Sequence, residues 1–299
     1  MPSDLDLRGV WVPLITPFDA ADAVDVRAIE LLCHRALDAG AAGIVALGTT
    51  GESSALDAAE RDLVVATVSA VCADRGSRVI VGTGSNNTAH TVAATRALEG
   101  VPAVVGALVV VPYYVRPSEA GIVAHFRAVA AASPVPLVLY NIPARTGRGL
   151  GATSLLELAA VANVAGVKQA VSALDADTLE LLAEAPDGFG VLGGEDTLLF
   201  PLMCMGAVGA ISAAAHLCTD RFVTMIEHGL AGRVEDGRSL AESLLPVVRT
   251  AFAELNPAVF KAVLHAQGHL ATPAVRMPLL PASDSARDAC LAAVAAVEA

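Results

Sequence analysis

Short apolar segments alternate with longer amphipathic segments along the chain. The apolar segments predict eight β-strands, over residues 10–15, 43–48, 78–83, 107–112, 136–141, 164–169, 189–193 and 208–213. The amphipathic segments predict helices over residues 25–39, 57–73, 88–98, 118–132, 153–161, 174–184 and 196–205. The strands show little polar alternation, which is typical of parallel strands that are covered on both faces.

This order of elements indicates the fold class. Eight strands, each followed by a helix at intervals of roughly 20–30 residues, predict an α/β protein with a (β/α)8 TIM barrel. An open doubly wound sheet is the alternative, and eight evenly spaced units favour the barrel. Residues 220–299 contain no further strand pattern and predict about three helices. We therefore expect a barrel over 1–219 and a C-terminal helical region over 220–299 that packs on it.

The charge of the chain excludes several classes of partner. A net charge of −12 disfavours nucleic acid and anionic membranes, although local arginines can still bind small anions. The longest uncharged stretch, 197–219, is interrupted by Pro201, Gly206 and Gly209, so it predicts a buried helix and strand instead of a membrane span. The N-terminus shows no signal-peptide pattern, and we expect a cytoplasmic protein.

Neither the cysteines nor the histidines predict a metal site. The five cysteines are scattered without a C-x-x-C pair, so we expect them to be buried thiols in a reducing compartment. The seven histidines show no H-E-x-x-H or similar pairing. We therefore expect no metal.

Candidate chemistry collects at the predicted strand ends. The chain has only two lysines, and Lys168 lies at the end of the sixth strand. A lysine amine becomes a nucleophile when it loses its proton, whereas arginine stays protonated at neutral pH. Tyr140 ends the fifth strand, and Tyr113 and Tyr114 end the fourth. Because the C-terminal ends of barrel strands share one mouth, these residues indicate imine chemistry with proton transfer nearby.

Two loops offer groups that suit carboxylates. Residues 48–53, Gly-Thr-Thr-Gly-Glu-Ser, supply hydroxyls and backbone N–H groups after the second strand. Arg145 follows the fifth strand, and its guanidinium matches a second carboxylate. An ordinary glycine-rich turn, a solvated arginine and, for Lys168, a side chain that reaches to solvent are the structural alternatives.

In these motifs the chain resembles the dihydrodipicolinate synthase family of the N-acetylneuraminate lyase superfamily. The resemblance is most specific over 48–53, 112–117, 140–147, 166–168 and 206–212. It implies a pyruvate-dependent lyase of the class I aldolase type, in which Lys168 forms a Schiff base with pyruvate and no other cofactor is needed. The enamine derived from that imine would attack L-aspartate 4-semialdehyde, a step of lysine and diaminopimelate biosynthesis.

The resemblance also implies a proton relay and an assembly. Tyr140 and Thr49 would relay protons together with Tyr114, which would reach in from the partner subunit of a tight dimer. Two such dimers would form a homotetramer.

The resemblance assigns the substrate contacts as well. Thr50 and Gly51 would hold the pyruvate carboxylate, and Arg145 would hold the carboxylate of the semialdehyde. The backbone at Gly194 and Ile211 would line the pocket.

Two other functions remain open. A pyruvate-dependent aldolase or lyase that acts on 2-keto-3-deoxy sugar acids or N-acetylneuraminate would share the imine step. Arg145 favours the synthase, since neuraminate lyases lack the Arg-Thr-Gly continuation at 145–147. The other alternative is a relative that binds keto acids without catalysis. The complete set of Lys168, Tyr140, Thr49 and Tyr114 speaks against it.

Feedback inhibition by lysine is expected to be weak or absent. Lysine-inhibited members of the family carry histidines and a glutamate around the effector, and the matching positions here are Ala58, Arg61 and His90. The expected acidic partner of the effector ammonium group is replaced by His90, and Arg61 adds a like charge.

Overall fold

Eight parallel strands close into a barrel in chain order, with the last strand hydrogen-bonded to the first. This computed structural model describes residues 5–298. The strands are β1 (Gly9–Pro13), β2 (Gly43–Ala46), β3 (Val79–Gly82), β4 (Val104–Val110), β5 (Leu137–Asn141), β6 (Val164–Gln169), β7 (Gly190–Gly193) and β8 (Gly209–Ile211). The prediction of a TIM barrel is confirmed.

Helices follow the strands and cover the outside of the barrel. They are α1 (Val26–Asp38), α2 (Ala58–Asp74), α3 (Thr88–Arg96), α4 (Glu119–Ala132), α5 (Pro143–Thr146), α6 (Ala152–Ala159), α7 (Ala176–Glu184), α8 (Leu199–Cys204), α9 (Thr219–Leu230), α10 (Val234–Ala251), α11 (Ala258–Ala266) and α12 (Asp284–Glu298). The start of α2 shows how the sequence sets a boundary. The Asp57 carboxylate accepts from the Glu60 N–H at 2.9 Å, and Glu60 accepts in return from the Asp57 N–H at 3.0 Å.

Strand residues divide between two apolar layers. On β5, Leu137 and Leu139 pack in the large layer between strands and helices, whereas Val138 and Tyr140 belong to the cluster inside the barrel. This alternation follows from the two-residue period of a strand. Trp11, which is fully buried, belongs to the same inner cluster. The inward position of Tyr140 therefore follows from its place in the strand.

The C-terminal part differs in one respect from expectation. It contains four helices instead of about three, because α9 directly follows β8 and takes the place of the eighth barrel helix. Helix α10 packs against α9 and α12, and α12 also contacts α11. The division into a barrel over 1–219 and a helical region over 220–299 stays a prediction.

Two smaller expectations can be compared with the structure. The uncharged stretch 197–219 contains α8 and β8, as predicted, and within residues 5–298 no helix is long and apolar enough to cross a membrane. The expectation that all five cysteines are buried is wrong for Cys204, which is exposed at the end of α8 where that short helix meets solvent.

Candidate active site

Lys168 and Tyr140 are neighbours at the C-terminal ends of β6 and β5. They are paired in the register of these parallel strands, so their side chains leave the sheet on the same face. Lys168 Nζ lies 4.5 Å from the centroid of the Tyr140 ring. Only 7 % of Lys168 and 6 % of Tyr140 are exposed. The structure thus brings together the two residues on which the predicted imine chemistry depends.

The Lys168 amine has no fixed polar partner in the described part of the chain. Across residues 5–298 its Nζ makes no hydrogen bond and no ion pair, and the Tyr140 ring is its only aromatic contact. The amine is therefore open to a substrate carbonyl without first having to break a bond to the protein.

Gly194 lies directly against the Lys168 side chain. A Cβ atom at position 194 would come within 2.8 Å of both Cγ and Cε of Lys168, which is closer than carbon atoms pack. The Gly194 N–H donates to the carbonyl of Gln169 at 2.9 Å and so joins the loop after β7 to β6. Glycine at this position therefore leaves the space that the lysine chain occupies.

A buried carboxyl group stands at the ends of β7 and β8. Asp196 accepts from the Ser212 hydroxyl at 2.5 Å and from the Ala214 N–H at 3.0 Å. Burial raises the pKa of Asp196, while these hydrogen bonds and the charge of Lys168 oppose the rise. Ile211, one residue before Ser212, is fully buried in the inner cluster with Tyr140.

Sequence reasoning gave no role to Asp196 or Ser212. The only signal available was their position after predicted strand seven and at the end of predicted strand eight. Their hydrogen bond ties the two strand ends together beside the lysine.

The Gly-Thr-Thr-Gly-Glu loop forms a tight turn after β2. Thr49–Gly51 make one turn of 3-10 helix, in which Thr49 is exposed and Thr50 is buried. The Thr50 hydroxyl oxygen accepts from Asn256 Nδ2 at 3.0 Å. A Cβ atom on Gly51 would lie 2.9 Å from the carbonyl oxygen of Leu14, so only glycine fits there without a shift. Thr50 and Gly51, the two positions predicted to bind the pyruvate carboxylate, are thus packed closely against surrounding protein.

Tyr114 and Arg145 lie further out, in the loops after β4 and β5. The Tyr114 side chain is 87 % exposed and its φ is +71°, in the left-handed region. Arg145 is exposed in the single-turn helix α5. Within residues 5–298 neither side chain forms a hydrogen bond or ring contact with Lys168 or Tyr140. Within one subunit these two side chains are therefore exposed and make no direct contact of these kinds with the lysine.

The loops that carry Tyr114 and Arg145 touch each other. A Cβ atom on Gly147 would lie 2.7 Å from Arg116 Nε, and Arg148 Nε donates to the Pro117 carbonyl at 3.3 Å. In a protein of net charge −12, Arg116 and Arg148 thus lie where these two loops meet at the edge of the mouth, and Arg145 stands three residues before Arg148 in the chain. This edge is suited to an anionic substrate.

Metal-ligating side chains are not gathered at the mouth. Among residues 5–298, no group of three or more His, Cys, Asp or Glu side chains is placed to hold a metal ion. The chemistry that this arrangement can support is that of an amine nucleophile beside a phenol and a buried carboxyl group.

Comparison with known proteins agrees with the fold. The dihydrodipicolinate synthetase family matches residues 6–297. The 4-hydroxy-tetrahydrodipicolinate synthase of Moorella thermoacetica is 38% identical over 285 residues, which cover 95% of this chain and 96% of that protein. The crystal structure of dihydrodipicolinate synthase from Thermotoga maritima superposes with a TM-score of 0.94 at 30% identity, covering 98% of this chain and 99% of the other.

A second solved structure concerns assembly. It is described as the first monomeric dihydrodipicolinate synthase variant, and it superposes with a TM-score of 0.93 at 29% identity over 97% of both chains. The same fold is thus found in a variant without partner subunits. From the extent of these matches, the chain belongs to the dihydrodipicolinate synthetase family.

Proposed function

We propose that this protein is a 4-hydroxy-tetrahydrodipicolinate synthase that condenses pyruvate with L-aspartate 4-semialdehyde. The observation that carries the proposal is the buried Lys168 amine, held beside the Tyr140 ring and without an acceptor of its own. The name shared by the relatives gives the reaction, and the lysine gives the chemistry by which it proceeds.

The reaction begins with imine formation. The neutral Lys168 amine attacks the keto carbon of pyruvate, and water leaves to give a protonated imine. Loss of a methyl proton converts the imine to an enamine, whose carbon attacks the aldehyde of the semialdehyde and forms the new C–C bond. The amine of the bound semialdehyde then attacks the imine carbon, closes the ring and displaces Lys168. No cofactor other than this covalent imine takes part.

Proton transfer is assigned to three hydroxyl groups. Tyr140 would pass protons to and from the reacting atoms, together with Thr49 and Tyr114. The contact between Tyr140 and Lys168 supports the first assignment. Thr49 is exposed at the turn after β2, and within residues 5–298 its hydroxyl is in no hydrogen bond. That hydroxyl is therefore available to a substrate.

Tyr114 is assigned to the site of a partner subunit. A tyrosine that is 87 % exposed on a left-handed backbone presents most of its ring away from its own chain, which supports this assignment. We therefore propose that two subunits exchange Tyr114 residues in a tight dimer, and that two such dimers form a tetramer. The cytoplasmic location expected from the sequence stays a prediction.

The two substrate carboxylates are assigned to opposite sides of the mouth. Thr50 and Gly51 would hold that of pyruvate, and Arg145 that of the semialdehyde. The exposed position of Arg145 in the loop after β5, close in the chain to Arg148, supports the second assignment. Gly194 and Ile211 would line the pocket between them, which the packing of Gly194 against Lys168 supports.

Reductive trapping tests the imine directly. The protein is incubated with pyruvate, reduced with borohydride, and digested for mass spectrometry. A pyruvyl adduct is expected on Lys168 and not on Lys261, whose amine is fully buried and ion-paired and so serves as the internal control. Folded protein with no adduct on Lys168 would refute the proposal.

The aldehyde partner is tested by competition and by one substitution. Turnover is compared for pyruvate with aspartate semialdehyde, glyceraldehyde and N-acetylmannosamine. Arg145→Ala should lower the rate with the semialdehyde by at least about tenfold, as loss of a charge-assisted hydrogen bond implies, while pyruvate still forms the adduct. Unchanged semialdehyde kinetics in this variant would assign another second substrate.

A further inference from the structure

We propose that Lys261 and Glu52 are positioning residues, which hold the Thr49–Gly51 turn in the conformation that binds the pyruvate carboxylate. This inference deepens the proposed function and rests on it. It assigns a positioning role to a pair of residues that come from opposite ends of the chain.

Glu52 and Lys261 form an ion pair that is almost completely removed from solvent. Lys261 Nζ lies 2.5 Å from Glu52 Oε1, and the exposed fractions of the two side chains are 0 % and 1 %. Lys261 also donates to the Ala274 carbonyl at 2.8 Å, and its Nζ stands 4.0 Å from the centroid of the Phe18 ring. The second Glu52 oxygen, Oε2, accepts from the backbone N–H of Arg276 at 2.8 Å. Both carboxylate oxygens are therefore engaged by the C-terminal part of the chain.

The backbone of Glu52 is unusual, and it adjoins the turn. Its φ of 51° and ψ of 34° lie in the left-handed region, which residues other than glycine adopt at some cost. The Glu52 N–H donates to the Thr49 carbonyl at 3.1 Å and closes the turn. The buried side-chain contacts offset the cost of this conformation. Releasing them would allow Glu52 to relax, and Gly51 would have to move with it.

A second contact to the turn comes from the same C-terminal segment. Asn256 stands two residues before α11, the helix that carries Lys261, and its amide donates to the Thr50 hydroxyl oxygen. A hydroxyl whose oxygen already accepts one bond still has its own hydrogen to donate. Asn256 therefore leaves the Thr50 O–H directed to another acceptor, such as a carboxylate. One short stretch, 256–261, thus reaches the turn at two points.

The energetics of buried ion pairs argue against a purely stabilising role. A buried pair is often no more stabilising than apolar side chains of similar size, because both charges lose their hydration. What such a pair supplies is a fixed geometry, since any other arrangement leaves a charge unpaired in the interior. Here the fixed geometry belongs to the turn that carries Thr50 and Gly51.

The decisive experiment measures pyruvate binding separately from stability. The variants are Lys261→Met and the doubly neutral Glu52→Gln/Lys261→Met, which leaves no unpaired charge and is expected to fold even if the single variant does not. Leu155→Ala is the matched control, because Leu155 is a fully buried residue of α6, on the side of the barrel opposite β2. For each protein the pyruvate concentration that gives half-maximal borohydride trapping on Lys168 is measured, together with kcat and both KM values.

The two charge variants are expected to need at least about tenfold more pyruvate for half-maximal trapping, which corresponds to the loss of one charge-assisted contact. The KM for the semialdehyde should stay unchanged in both charge variants. The Leu155→Ala control should reach half-maximal trapping at the same pyruvate concentration as wild type. If wild type forms the adduct and the doubly neutral variant does so at the same pyruvate concentration, the pair has no positioning role. If wild type forms no adduct at all, the proposed function fails and this inference fails with it.

Discussion

The two lysines of this chain are both buried, yet their surroundings are opposite. Lys261 is fully enclosed and has a carboxylate, a carbonyl and an aromatic ring as partners. Lys168 is 7 % exposed, and within residues 5–298 its amine makes no hydrogen bond or ion pair; it lies over the Tyr140 ring and interacts with the Asp196 carboxyl group only through its charge. Burial alone therefore does not mark a chemically active lysine. A buried lysine that makes no hydrogen bond or ion pair is a better candidate, because a nucleophile has to be free to bond to its substrate.

The partners of Lys261 explain why it can be enclosed. Burial lowers the pKa of Lys261, and the Glu52 carboxylate acts against that change. An ammonium group without such a carboxylate would be costly in the interior. Lys261 in α11 is therefore a structural cation, whereas Lys168 in β6 is the candidate nucleophile.

Replacing Lys168 by Met should have the largest effect on activity. Turnover should fall by at least about 10³-fold, as loss of a covalent nucleophile implies, and trapping should disappear. The free energy of unfolding should change by less than about 1 kcal/mol, because no hydrogen bond or ion pair of Lys168 is lost. Urea unfolding and steady-state kinetics measure the two effects, and a large loss of stability would contradict the comparison.

Lys261→Met should lower the free energy of unfolding far more than Lys168→Met does. Removing the cation leaves Glu52 buried and unpaired, which costs about 3–5 kcal/mol of unfolding free energy. Glu52→Gln/Lys261→Met should recover most of that loss, since no charge remains in the interior. The urea midpoints of the three proteins test this. Equal midpoints for wild type and the single variant would show that the buried pair carries no stabilising coupling.

His216 extends the comparison to a base that is buried in its neutral form. Ile15 N–H donates to Nε2 at 3.1 Å, while Nδ1 lies 2.8 Å from the Ala213 carbonyl and donates to it. A proton on Nε2 would face the Ile15 N–H, and burial lowers the pKa of His216 to about 4.

The unfolded chain binds this proton at a pH of about 6.5, so between that pH and 4 only the unfolded state is protonated. The contribution of His216 should therefore reduce stability as the pH falls through this window, by up to about 3 kcal/mol. Urea unfolding at several pH values measures this. His216→Gln, which can still accept from Ile15, should show a smaller dependence, and identical slopes would exclude His216 as the cause.

Tyr140→Phe separates the ring from its hydroxyl. The ring can still lie over the Lys168 amine, so stability and pyruvate trapping at long times should be kept. Loss of the hydroxyl should slow turnover by about 10²-fold, the lower end for a positioned proton-transfer group. Steady-state kinetics beside single-turnover trapping provide the test. A normal rate would mean that another group transfers the proton.

The smallest effect is expected from free lysine as an inhibitor. Lys261 shows that an enclosed ammonium group needs a carboxylate, whereas the positions that match the effector site are Ala58, Arg61 and His90, all of them exposed. Arg61 Nε already donates to the Ser53 carbonyl at 3.1 Å. Millimolar lysine should therefore lower the initial rate little or not at all, and inhibition at sub-millimolar lysine would contradict this expectation.

The barrel and its lysine were predictable because their signals are local. Continuous apolar runs gave β6 its observed limits and β5 within one residue. Strand two was predicted to reach residue 48 but ends at Ala46, because Leu47 takes a left-handed φ of 55° that the apolar pattern does not reveal. Predicted strand eight extended to 213, whereas β8 ends at Ile211 and Ser212 turns to Asp196.

The contacts that hold the turn after β2 could not be predicted. Glu52 and Lys261 are 209 residues apart, and nothing in the residues around either one names the other. The loop at 48–53 carries a recognisable motif, whereas the sequence around Lys261 predicts only a helix. Glu52 and Lys261 come together only in the folded protein, because the loop after β2 and helix α11 are far apart in the sequence.

A barrel separated from its last helices would keep every strand but lose the partners of Glu52. Glu52 is contacted by Lys261 and Arg276, which lie 209 and 224 positions after Glu52 in the chain. A chimaera therefore keeps these contacts only where one parent supplies the carboxylate at position 52 and the other supplies matching partners at positions 261 and 276. A chimaera whose 256–276 segment lacks these partners would inherit all the catalytic side chains, and we expect it to bind pyruvate less tightly.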